Sequence, residues 1–79
     1  MSELAFERAS LTKADDDIAD GERRITDQML LIERLRDAGH ATDGAEILLA
    51  TLHQSLAAWC DHRHEILLRI EHLERTPRP

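Results

Sequence analysis

An apolar residue returns every seventh position through the first half of this 79-residue chain: Leu4, Leu11, Ile18, Ile25 and Ile32. Three residues after each stands Glu7, Ala14, Gly21, Gln28 and Leu35, and Met29 widens the line. An apolar stripe at this period is the seam of a helix packed lengthwise on another helix. The second half continues the theme. Ala45, Leu49, Leu52, Leu56, Trp59, Arg63, Ile66, Ile70 and Leu73 follow one another at alternating steps of four and three. All but Arg63 are apolar, which decides for helix over strand.

Between the two stripes lies Ala38-Gly39-His40-Ala41-Thr42. Gly39 suits the left-handed position that follows a helix, and Arg34 and Arg36 suit the negative helix end before it. His40 beside it reads as a turn residue that hydrogen-bonds a helix-end carbonyl. Thr42 reads as the N-cap of the second helix, with Asp43 and Glu46 at its positive end. Two starts compete for the first helix: Ser2 capping a helix from Glu3, or Thr12 with Asp15 as a capping box. The first is favoured, with a frayed opening turn. The expectation is one all-α domain over 1–79. Its first helix spans about 3–38, its turn 39–42, its second helix about 43–75 and its tail 76–79. Pro77 and Pro79 end it.

So short a connection forces the helices antiparallel. A turn centred near His40 makes facing residue numbers sum to about 81. Ile32 then meets Leu49, Ile25 meets Leu56, and Gly21 falls opposite Trp59 and Cys60. A glycine inside a helix costs about 1 kcal/mol relative to alanine. The indole on the facing helix would explain it, filling the space the missing side chain leaves. Arg63 is expected to pair across the seam with Asp17 or a neighbouring acid, fixing register more than adding stability. The packing residues are then Gly21, Ile25, Ile32, Leu49, Leu52, Leu56, Trp59, Arg63 and Ile66.

Two helices bury only one stripe each. The second carries Leu48, Ala50, Ala57, Leu67 and Leu68 beyond its stripe, and surplus apolar surface marks an interface. A hairpin of coiled-coil type that dimerises into a four-helix bundle is the expected solution, with docking on a different protein partner as the alternative. A chain this small buries little core and needs such support. Its single cysteine cannot form an internal disulfide. Ten basic residues against sixteen acidic ones give a net charge of −6, which excludes broad phosphate-backbone binding. One Phe, one Trp and no Tyr leave no platform for stacking bases. No apolar run reaches the roughly 18 residues of a membrane span, and no secretory leader is visible. A cytoplasmic protein without nucleic-acid, membrane or small-molecule partners is expected.

The chemistry-bearing residues give no active site. His53, Cys60, His64 and Glu71 project within about 20° of one another on a helix. Cys60 and His64 are four residues apart, a spacing at which two side chains can share a metal. Yet His53 and Cys60 lie about 10 Å apart along the axis, so one helix cannot bring all four to one ion. The reading is therefore no metal and no cofactor. A bundle binding metal or haem through His53, Cys60 and His64 is the competing class. Asp15-Asp16-Asp17 lacks the glycine-turn loop that calcium ligation uses. In Asp61-His62-Arg63-His64-Glu65, neighbouring side chains point different ways, so they cannot act on one substrate. Cys60 has His64 within reach, but a hairpin offers neither an oxyanion hole nor a pocket, so no enzyme is expected. A regulator of the antitoxin or anti-sigma kind is a further alternative that no motif supports.

Several strings taken together carry a resemblance: Ile18 to Gln28, Leu31-Ile32-x-x-Leu35, Gly39-His40-x-Thr42, Ala45 to Leu56, and His62-Arg63-x-x-Ile66. Over about residues 11–73 the chain resembles short uncharacterised helical proteins of rhizobial-type bacteria. The resemblance implies a stand-alone helical protein and no activity, and no functional residue carries over from it.

Overall fold

The structure, a computed structural model, describes residues 2–76. Helix α1 spans Glu3–Asp37 and helix α2 spans Asp43–Arg75. They lie side by side as an antiparallel hairpin of 67 × 15 × 14 Å. The start at Glu3 is settled locally: the Ser2 hydroxyl accepts from the Ala5 N–H at 3.0 Å, taking up one of the donors a helix start leaves unpaired. The four tail residues of the sequence reading include Pro77 to Pro79, which lie outside the described residues.

The turn is built from two hydrogen bonds that close the end of α1. Gly39 has φ +78. Its N–H donates to the Arg36 carbonyl at 3.0 Å, and the His40 N–H donates to the Leu35 carbonyl at 2.8 Å. This nested pair is the Schellman arrangement, which needs a left-handed residue at its centre and so favours glycine. His40 does bond a helix-end carbonyl, through its main chain. Thr42 occupies the N-cap of α2 but makes no side-chain cap bond. Its φ of −113 and ψ of 2 fall outside the extended region where a capping hydroxyl reaches back.

Along α1 the buried and half-buried residues fall on the two expected seven-residue series, with Ser10 and Asp17 beside them. Along α2 every expected stripe position is at least half-buried except Trp59. The densest packing is at the open end, away from the turn. There Ala14, Ile66 and Ile70 form a cluster against which Leu4 and Leu11 pack. Ile66 is completely buried.

Ile32 and Leu49 line one cleft, as the turn-centred expectation has it, but the residue against Gly21 differs from that expectation. A side chain added at Gly21 would meet Leu56 Cδ1 at 3.4 Å, and no other atom, Trp59 included, within 4 Å. These two numbers sum to 77; the ion pairs Glu7–Arg69 and Asp15–Arg63 give 76 and 78, and Arg8–Glu74 and Arg36–Glu46 both give 82. The physical reason lies in the seven-residue repeat. In antiparallel packing the leading seam position of one helix levels with the trailing position of the other. Here that holds only when the numbers sum to a multiple of seven. A sum of 77 keeps matching layers level, and contacts near 81 join each layer to the next. Leu56 is therefore the residue over Gly21, with Trp59 beside it on the same cleft.

Among the described residues, no helix is long and apolar enough to cross a membrane.

Candidate functional site

The hairpin has two long sides, left and right of its seam, and they are built differently. One side is laced by ion pairs between the helices: Arg8 with Glu74 at 3.3 Å, Asp15 with Arg63, and Arg36 with Glu46 at 3.4 Å. Arg63 thus finds an acid across the seam, but the acid is Asp15. Asp17 is held within its own helix by Lys13 at 3.0 Å. These pairs are largely solvated, so each contributes at most about 1 kcal/mol and acts mainly on register.

His53 and Cys60 stand seven and fourteen residues after Glu46, which places them on this laced side. Both are exposed, as is His64. Glu71 is engaged by Arg75 at 3.2 Å. Among the described residues, no three His, Cys, Asp or Glu side chains come together as metal ligands would.

The other side is open. Three clefts follow one another along it, where the laced side has one, of about 270 Å³, beside the Arg36–Glu46 pair. The one at the seam centre has a volume of about 260 Å³, with Gly21, Leu52 and Leu56 among its lining and Asp17, Asp20, Arg24, Ser55 and Trp59 around them. The next, about 170 Å³, runs between Ala14, Asp17, Trp59 and His62. The third lies at the open end, between Glu3 and Leu68-Arg69. Trp59 is the wall between the first two, and its indole meets the His62 ring edge-on at 6.5 Å between centroids. It remains 40% exposed, a large fraction for the only tryptophan in the chain. The expected seating of the indole in the Gly21 gap does not occur. Leu56 reaches the gap first, and a leucine does not fill it.

Polar groups are also taken into the seam itself. Gln28 is buried and donates through Nε2 to the Ala45 carbonyl at 2.8 Å. Glu7 is buried as well. It accepts from Arg69 Nε at 3.0 Å through Oε1, while its Oε2 has no hydrogen-bond partner. Neither was named as a site in the sequence. Both occupy trailing seam positions of the repeat, and a polar residue at such a position is the signal that finds them.

Apolar surface left uncovered is shared by the helices rather than concentrated on α2. Phe6, Met29, Leu30 and Leu31 are exposed on α1, and Ile47, Leu48, Trp59 and Leu68 on α2. Against this stand five buried hydrophobic residues among those described: Ala14, Ile25, Ile32, Ile66 and Ile70. Compared with protein-family models, curated proteins and solved structures, the chain has no match.

Proposed function

We propose that this chain is a non-enzymatic interaction module that pairs with a second copy of itself into a four-helix bundle. The observation that carries the reading is the imbalance between buried and exposed apolar side chains in a body only two helices wide. In a cross-section of 15 × 14 Å, Ile66 is the one large side chain completely shielded among the described residues. Eight large apolar side chains remain exposed where five hydrophobic residues are buried. A second layer of helices corrects that imbalance, and two copies of a hairpin supply it. The clefts are shallow and lack a converging nucleophile, base or metal-ligand set, which supports an assembling rather than a catalytic role. Light scattering on the untagged protein across a concentration series tests this. The expected particle has twice the 9.0 kDa chain mass. A particle of single-chain mass at every concentration contradicts the proposal.

A further inference from the structure

The open side of the hairpin, with Trp59 standing between two unfilled clefts, has the shape and charge pattern of half an interface. We infer that the second copy packs on this side, with the two-fold axis parallel to the long axis of the hairpin. In that arrangement Trp59 of each copy lies over the Gly21 cleft of the other. The inference rests on the self-pairing proposed above and adds the face and the orientation.

Area comes first. Helices of 35 and 33 residues are about 50 Å long, so a face 15 Å wide offers about 800 Å², against roughly 800 Å² per partner in a stable interface. A hairpin that uses one long side therefore reaches the required size. The opposite side is less suited, because three interhelical ion pairs would have to be desolvated there against one, Glu7–Arg69, on this side.

Orientation follows from the levels along the open side. Arg24 and Ser55 line one cleft, and Asp17 and His62 line the next. Seven residues toward the turn from Arg24 and Ser55 are Leu31 and Leu48, both exposed. A two-fold axis along the hairpin preserves level and exchanges helices. Each α1 residue then meets the α2 residue of the same level on the other copy. Leu31 meets Leu48, Arg24 meets Ser55, and Asp17 meets His62. Apolar falls on apolar, and no like charges are opposed. Gly21 and Trp59 share a cleft, so the same operation places the indole of one copy over the glycine of the other. An axis across the hairpin fails these matches. Placed at the level of Gly21 and Trp59, it turns one copy end for end, bringing Leu48 toward Arg69 and setting Asp20 near its own counterpart.

Charge permits the contact despite a net −6 per chain. Glu3, Asp17 and Asp20 along these clefts are balanced by Lys13, Arg24 and Arg69, so copies that repel at long range are not repelled at this face.

The test uses the wild-type chain, since Trp59 is its only tryptophan. At a concentration where light scattering gives the double mass, the indole emission is expected to shift to the blue and to lose accessibility to acrylamide, relative to diluted monomer. A double-mass particle whose tryptophan is quenched as freely as in the monomer overturns this face and leaves self-pairing standing. Single-chain mass throughout overturns both. Orientation is read separately by mixing Leu31→Cys and Leu48→Cys chains, each also carrying Cys60→Ser, and oxidising mildly. A disulfide between the two chains is expected in the mixture. Its absence from a mixture that still has double mass overturns the parallel axis.

Discussion

The open end of the hairpin and its middle are made from the same repeat, yet one is closed and the other is not. At the open end Ala14, Ile66 and Ile70 close on one another with Leu4 and Leu11 around them. In the middle, the layer of Gly21 and Leu56 is underfilled, and Trp59 stands at its rim. The pattern of apolar spacing is equally regular in both places. What differs is the volume put into each layer. The comparison teaches that the repeat sets which residues face the seam, while side-chain size sets whether the seam is sealed. It also separates two roles: the closed end holds the hairpin together, and the open middle is where the proposed pairing would place the second copy.

The largest effect should come from emptying the closed end. Ile66→Ala removes a completely buried side chain and should cost about 2–5 kcal/mol, enough to lower the thermal midpoint steeply by circular dichroism. Next, Arg69 is the partner of a buried carboxylate. Arg69→Ala leaves Glu7 uncompensated and should cost about 1–3 kcal/mol in urea unfolding, tempered by the half-exposed guanidinium. Glu7→Leu, by contrast, should be neutral or stabilising, since it removes an unpaired buried oxygen among apolar neighbours. If both variants lose stability equally, the contrast between a paired charge and an apolar replacement is wrong. In the middle, Gly21→Ala should stabilise by about 0.5–1 kcal/mol, because the gain in helix propensity outweighs a contact of 3.4 Å with the mobile end of Leu56. A loss there would mean the middle is as tightly packed as the open end. The smallest effects belong to the caps. Ser2→Ala should cost about 0.5–1 kcal/mol of helix start, and Thr42→Ala nearly nothing, because only the first makes a side-chain bond.

Much of this molecule is legible in its sequence. The two helices, the Ser2 start, the Gly39 turn and the inward series all follow from periodicity and capping chemistry, which are local. The midpoint of the turn predicts the neighbourhood of Ile32 and Leu49 but not the residue that fills the Gly21 gap. Matching seam positions layer by layer restricts the sum to multiples of seven and leads to Leu56, not Trp59, over Gly21. Arg63 was expected to find an acid, yet which acid depended on that same register. The surplus apolar surface was assigned to α2 from its higher apolar content. The structure divides it between the helices, because Phe6, Leu30 and Leu31 project away from the seam on α1. The open side could not be read from spacing at all. It arises from the size of one layer and from which flank the ion pairs close, and both need the helices in place.

Sedimentation equilibrium of Trp59→Ala beside His53→Ala tests the central claim most directly. Trp59 lies on the open side, where truncating it should cost the hairpin little and the pairing much. His53 lies on the laced side. The account predicts at least about a 30-fold weaker self-association for Trp59→Ala, the consequence of losing 2 kcal/mol or more at an interface anchor. It predicts no change for His53→Ala. A Trp59→Ala chain that pairs as tightly as wild type, or a His53→Ala chain that loses pairing instead, would contradict it.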